Sequence, residues 1–134
     1  ATSVRFPGGS MERMTAADEI RALALALPQT EEFVHFRQQA PGFRVAGAAF
    51  AGLEKGEATA VFSVALEEAQ ALIAGDAGTY EEVWRPGRIR SFVGVRVRLD
   101  RVSREQIRQL IEHAWANKAP KRLVKDRRMD PTGR

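Results

Sequence analysis

Apolar residues recur at helical spacing in three segments of the chain, and this pattern predicts three helices. The first segment follows Thr15, an N-cap residue with an acidic residue three positions later, and stops at Pro28. The second segment has two glutamates in its first turn and Gly75 just beyond its end. We therefore predict helices over residues 16–27 and 66–74.

The third helical segment has the clearest start signal. Ser103 and Gln106 form the pattern of a capping box, in which each side chain accepts a hydrogen bond from the backbone of the other residue. Five apolar residues then follow at the spacing of a single buried stripe, and they are Ile107, Leu110, Ile111, Ala114 and Trp115. This pattern predicts a core helix over residues 104–117.

Strand patterns fill most of the remaining sequence. The predicted strands are 32–37, 43–46, 48–53, 58–64 and 91–99. The turn signals between the earlier strands lie close together, which favours antiparallel hairpins over crossover connections. We expect an α+β fold in which three helices pack mainly on one face of a twisted antiparallel sheet. The predicted order is helix, strand meander, helix, one or two strands, helix.

The 134 residues suit one domain, which we place at residues 11–124. Residues 1–10 resemble a linker remnant, and residues 125–134 are interpreted as a basic flexible tail. The sequence contains no cysteine, which excludes disulfides and thiol catalysis, and it has no apolar run long enough to cross a bilayer. We expect a cytoplasmic protein without a membrane partner.

Charge divides the chain unevenly at Trp84. Residues 1–84 carry 6 Lys and Arg against 12 Asp and Glu, whereas residues 85–134 carry 15 against 5. The net charges are therefore about −6 and +10. This asymmetry indicates a surface that attracts a polyanion or an acidic partner.

The last predicted strand connects this charge to the sheet. Strand alternation places Val93, Val95, Val97 and Leu99 on the core face, and Phe92, Gly94 and two arginines on the solvent face. Other arginines precede and follow this strand. The arginines predicted to share this face and its margins are Arg88, Arg90, Arg96, Arg98 and Arg101.

Several segments of the chain resemble the MmcQ/YjbR family of small bacterial proteins. They are Ala24-Leu25-Ala26-Leu27-Pro28 followed by Glu31-Glu32, then Phe43-Arg44-Val45, Phe50-Ala51 and Ala119-Pro120-Lys121-Arg122-Leu123. The resemblance covers about residues 15–124, and the Pro-Lys-Arg-Leu segment is its most specific part. It implies a compact α+β fold likened to frataxin-like and type III secretion chaperone-like folds. It also implies predicted DNA binding through a double-wing motif, with no catalytic residue.

Two segments depart from the family pattern. The family often has Lys in the strand where this chain has Gly47-Ala48-Ala49-Phe50, and often has Trp where this chain has Phe92. The positive charge is absent from the first segment and is replaced by arginines around the second. We therefore carry no binding role over to Ala49.

No pattern for enzyme chemistry stands out in the sequence. His35 and His113 are far apart and lack the spacing of metal ligands, and the paired glutamates are adjacent residues that point apart. The glycines do not form a phosphate-binding loop. We expect no enzyme activity, no metal, no cofactor and no specific small-molecule ligand.

Nucleic-acid binding is the sharper of two functional hypotheses. The candidate DNA-binding or anion-binding residues are Arg88, Arg90, Arg96, Arg98, Arg101, Lys121 and Arg122, with Trp84 as a stacking residue or, as we favour, a core residue. In a simpler interpretation, the arginines only solubilise the sheet face and pair with the acidic first part of the chain. The rival function is a protein-interaction module that binds an acidic partner or forms a weak homodimer.

Overall fold

The computed structural model of the chain describes residues 15–35 and 39–129. The helices are α1 Ala16–Leu25, α2 Leu66–Gly75, α3 Arg104–Lys118 and α4 Lys121–Met129. The strands are β1 Thr30–His35, β2 Ala40–Val45, β3 Ala48–Leu53, β4 Thr59–Phe62, β5 Tyr80–Arg85 and β6 Ser91–Arg98. The predicted linker at residues 1–10 and residues 130–134 of the predicted tail lie outside the described residues.

The six strands form one antiparallel sheet in the order β1-β2-β3-β4-β6-β5. Helix α3 packs on β3 and β4, α2 packs on β5 and β6, and α1 packs on α3 and on β1. The core lies between this helical layer and the sheet, with Trp115, Phe43, Phe50 and Phe62 fully buried in it. The predicted α+β class is confirmed.

Both predicted capping boxes are present. Thr15 Oγ1 accepts from the backbone of Asp18 at 3.1 Å, and Ser103 Oγ accepts from the backbone of Gln106 at 3.1 Å. The predicted stripe of α3 is buried along its whole length. Trp115 also donates from Nε1 to the Pro28 carbonyl at 3.1 Å, which fixes the segment between α1 and β1 against α3.

Two elements differ from the sequence prediction. Residues 121–129 form a fourth helix, which takes in residues 125–129 of the predicted tail. Leu123 is buried, and Arg127 lies over the Trp115 ring and pairs with Glu112, so α4 folds back along α3. Strand β5 has no predicted residue range, although the predicted order allows a second strand before the last helix, because its sequence holds two adjacent glutamates and lacks clear alternation.

A β-bulge in β6 changes the predicted faces of that strand. Val83 pairs with Gly94 and Trp84 pairs with Phe92, so Val93 is an extra residue opposite β5. Phe92 packs against the core, whereas Val93 lies with Arg96 on the face without helices. The predicted faces of Phe92 and Val93 are therefore wrong, and those of Val95, Val97 and Leu99 are right.

Two hairpin connections lie at the same end of the sheet, which we call the hairpin end. It carries the β2–β3 turn at residues 46–47 and the β5–β6 loop at residues 86–90. The last turn of α3 reaches this end as well, because Asn117 Nδ2 donates at 2.8 Å to the carbonyl of Ser63, the residue after β4. The loops at residues 54–58 and 99–103 lie at the opposite end.

Candidate nucleic-acid interface

The face of the sheet without helices, here called the open face, carries Arg96 near its centre. A continuous row of cross-strand partners crosses this face, and its members are Phe33, Gly42, Gly52, Val61, Arg96 and Glu81. The two glycines leave a groove of about 250 Å³ beside Val61 and Arg96. Arg96 thus points away from the core, as the sequence predicted.

Two carboxylates of the acidic first part of the chain neutralise Arg96. Its Nε and Nη2 donate to the two oxygens of Glu54 at 2.8 and 2.9 Å, and its Nη1 lies 3.3 Å from Glu81 Oε1. The hydrogen bond from Arg96 lowers the pKa of Glu54, and the same bond raises the pKa of Arg96. The Arg96 guanidinium is therefore already engaged by two carboxylates and is less available to a phosphate than an unpaired arginine.

The other two arginines of this strand region also have local partners. Arg98 Nε lies 3.9 Å from Asp100, and Arg101 Nε donates to Thr79 Oγ1 at 2.9 Å. Thr79 is buried and donates in turn to Asp76 at 2.6 Å, and this bond lowers the pKa of Asp76. Arg101 thus fastens the turn before β5 to the segment before α3. Both arginines lie at the end of β6 opposite the hairpin end.

The β5–β6 loop presents arginines of a different kind. Arg88 and Arg90 are exposed, and neither forms an ion pair with any described residue. Between them Ile89 is 84% exposed. The short loop has no neighbouring strand to supply a carboxylate, so these side chains stay accessible.

Trp84 lies at the base of this loop and is half-buried, so our preferred core assignment is wrong. Phe92 meets its ring edge-on at a centroid distance of 5.3 Å, and Arg90 covers the ring at 4.7 Å. Its Nε1 donates to Glu82 at 2.8 Å. Trp84 therefore acts as a platform that holds the Arg90 guanidinium at the sheet margin.

Lys121 and Arg122 begin α4, whose first turn has no acidic residue. Both are exposed and have no ion pair within the described part of the chain, while the next residue, Leu123, is buried and anchors the turn. Since α3 ends at the hairpin end, these cations lie at that end too. We call Arg88, Arg90, Lys121 and Arg122 the tip cluster.

The structure thus separates the seven predicted binding residues into two groups. It brings the tip cluster to the hairpin end and leaves Arg96, Arg98 and Arg101 with their own partners. Sequence reasoning missed Arg85 and Lys118, two further exposed cations at the hairpin end. Assigning β5 would have found Arg85, because it is the last residue before the loop.

Acidic residues also neutralise arginines on the helical side. The pairs are Arg21 with Glu32 at 2.9 Å, Arg104 with Glu19 at 2.8 Å, and Arg108 with both Glu105 and Glu112. At the hairpin end, Glu68 of the first turn of α2 lies 2.7 Å from His113 Nδ1. Much of the positive charge is therefore neutralised by nearby carboxylates. The positive charge of the tip cluster is not neutralised by the described residues.

Within the described residues, no group of three or more His, Asp or Glu side chains is placed to hold a metal ion. In the same part of the chain, no helix is long and apolar enough to cross a membrane. His113 lies on α3, whereas the side chain of His35 is not among those that the structure describes.

Comparison with known proteins gives a match to a family model. A search of curated proteins found none that match the chain. The model of the YjbR family matches residues 25–117, from the last residue of α1 to the penultimate residue of α3, and so covers the whole sheet. That range includes the strands and the β5–β6 loop described above. The chain belongs to the YjbR family.

Proposed function

We propose that this domain binds nucleic acid, most readily duplex DNA, through the tip cluster and without catalysis. The observation that carries the proposal is the contrast in ion pairing between Arg96, which two carboxylates hold, and Arg88 and Arg90, which none of the described residues neutralises. A cytoplasmic location belongs to the same proposal.

The loop chemistry suits a polyanion better than an acidic peptide. Guanidinium groups contact phosphates bidentately, and a narrow hairpin tip fits a DNA groove. Exposed apolar side chains on such tips can insert between base steps, and Ile89 occupies that position here. Lys121 and Arg122 add charge from a second element at the same end, which widens the contact along the backbone.

The proposal is tested by titrating a labelled generic duplex with the whole chain and recording fluorescence anisotropy at several salt concentrations. Binding should weaken with salt at a slope of about −0.9 per phosphate contacted. The double variant R88A/R90A should reduce the slope by about 1.8, because it removes two phosphate contacts. The double variant K121A/R122A should act in the same direction.

A matched control removes the same charge elsewhere. R21A/R104A deletes two exposed arginines that are already ion-paired, so it should bind DNA nearly as the unaltered chain does. Equal weakening by all three double variants would mean that only net charge matters and would reject the tip cluster. Failure of the unaltered chain to bind duplex at about 50 mM salt would reject the function.

A further inference from the structure

Strand β5 is the outer strand of the sheet, and its free edge faces away from β6. The Arg98 backbone N–H donates to the Thr79 carbonyl at 3.0 Å, so the backbone groups of Thr79, Glu81 and Val83 point toward β6. The backbone groups of Tyr80, Glu82 and Trp84 alternate with these and point away from β6, toward the free edge. The outward Tyr80 N–H already donates to the Asp76 carbonyl at 3.3 Å. This leaves the backbone groups of Glu82 and Trp84 available along the edge.

Strand β5 lacks several of the usual defences of an edge strand, and its charged residues, Glu81, Glu82 and Arg85, are of both signs. Its sequence has no proline, glycine or lysine, and the bulge in this hairpin lies on β6. A groove of about 560 Å³ runs beside the strand, with Ile73 and Ala77 on the helical side and Trp84 and Arg90 toward the loop. The described part of the chain therefore leaves space next to the open edge.

The sequence of β5 is complementary to that of β5 in a second copy of the chain when the two strands pair in one antiparallel register. If a twofold axis passes beside Val83, Glu82 of one chain lies opposite Trp84 of the other, and Glu81 lies opposite Arg85. Glu81, Val83 and Arg85 share the open face, so each ion pair flanks the central valine contact. Arg85 has no other ion pair among the described residues.

We infer that a second copy of this chain pairs with the first through β5, antiparallel and centred on Val83, so that two six-stranded sheets become one. Glu82 and Trp84 of the two copies then form hydrogen-bonded pairs, and Val83 forms a non-hydrogen-bonded pair with itself. A symmetric contact of this kind uses the same surface on both chains and closes at a dimer. This inference does not rest on nucleic-acid binding.

A single cysteine tests this register directly, because the chain has none of its own. Cα atoms of a non-hydrogen-bonded antiparallel pair lie about 4.5 Å apart, which a disulfide can bridge. V83C should therefore oxidise to a covalent dimer, read on a non-reducing gel. The matched control is V34C, on the opposite edge strand β1, where Val34 is 72% exposed.

The expected result is rapid dimer formation by V83C with V34C remaining mostly monomeric under the same oxidant. Equal dimer yields from the two variants would indicate random collisions and would overturn the inference. A V83C chain that stays monomeric would overturn it as well. DNA binding is also measured on reduced V83C. Because Val83 lies outside the tip cluster, a failure to form the dimer and a failure to bind DNA can be recognised separately.

Charge reversal provides a second, independent test by sedimentation equilibrium. R85E places two carboxylates opposite each other at both symmetry-related positions and should weaken the dimer about tenfold. The double variant E81R/R85E restores opposite charges and should recover most of that loss. A dimer that R85E leaves unchanged, or an unaltered chain that sediments only as a monomer at its highest soluble concentration, would contradict the proposed pairing.

Discussion

Arg96 and the pair Arg88 and Arg90 belong to the same β-hairpin but differ in their surroundings. Arg96 lies in the body of the sheet, where Glu81 of the adjacent strand β5 and Glu54, the first residue after β3, both reach its guanidinium. Arg88 and Arg90 lie in the loop, which has no strand beside it. The number of arginines in a segment therefore says little about a binding surface until the neighbours across the sheet are known.

The contrast has a simple physical origin. A residue on an antiparallel strand has directly opposed neighbours about 5 Å away on each side, so a charged side chain there readily meets an opposite charge. A loop residue meets mainly water, and its charge remains available to a ligand. Partial burial strengthens the difference, because the Glu54 side chain is only 17% exposed.

The largest expected loss of unfolding free energy comes from a substitution in β6, and it tests how tightly the body of the β5–β6 hairpin is packed. Gly94 lies where β6 approaches β4, and a Cβ at this position would overlap the Phe62 carbonyl oxygen and lie 2.8 Å from its carbon. Because backbone atoms cannot rotate away, G94A should cost about 3 kcal/mol or more of unfolding free energy in urea titrations. Gly75 provides the control, since a Cβ added there would meet no atom within 4 Å.

The control substitution G75A should be neutral or slightly stabilising, since Gly75 ends α2 and alanine is the better helix former. If G94A retained the full stability of the unaltered chain, the close contact between β4 and β6 would not exist. The pairing that places Arg96 beside Val61 in the row across the open face would then lose its geometric basis.

The next effect concerns the ion pairs of Arg96. E54A removes two hydrogen bonds from Arg96 and one from Thr59, leaving a partly buried cation with one weaker partner. We expect a loss of about 2 kcal/mol in unfolding free energy, below that of a fully buried pair because the Arg96 side chain is 33% exposed. E81A, which removes a carboxylate that is 68% exposed, should cost much less.

Equal losses from these two variants would show that Arg96 is held no more firmly by Glu54 than by a surface residue. The ion pairs of Arg96 would then contribute no more to stability than contacts of exposed side chains do, and the body of the hairpin would not differ from the loop in this respect. Urea titrations at neutral pH, with matched slopes, distinguish these outcomes.

The same pair makes stability depend on pH. Arg96 lowers the pKa of Glu54 in the folded chain below its ordinary value of 4.5. The ionised carboxylate therefore stabilises the fold above that value, and this contribution is lost as the pH falls through the lowered pKa. The stability difference between the unaltered chain and E54Q should be largest near neutral pH and shrink in acid. A difference that stays constant down to pH ~3 would contradict this pairing.

The sequence predicted the helical side of this fold better than the sheet. Capping boxes and 3.6-residue stripes depend on local spacing, so Thr15, Ser103 and the Trp115 stripe were identified correctly. The bulge at Val93 depends on the register between two strands, which no local pattern encodes. Alternation alone therefore gave the wrong faces for Phe92 and Val93.

The candidate site shows the same limit. The sequence identified the arginines of the last hairpin but gave Arg96 the same role as Arg88, because Glu54 is 42 residues away along the chain. Arg101 was likewise predicted to bind a ligand, although its Nε donates a hydrogen bond to Thr79 Oγ1. Helix α4 escaped prediction because a highly basic segment has few apolar positions, and Leu123 and Val124, which pack on the core, are too few to show a periodic stripe.

The smallest expected effect belongs to the loop itself and completes the comparison. R88A should change the unfolding free energy by less than about 0.5 kcal/mol, because the side chain is exposed and has no ion pair among the described residues. R90A should cost slightly more, about 0.5–1 kcal/mol, since its guanidinium lies 4.7 Å from the centre of the Trp84 ring. Thermal unfolding followed by tryptophan fluorescence measures both. A larger loss from R88A than from E54A would mean that the loop arginines are structural, and it would leave the tip cluster without free charge to offer a ligand.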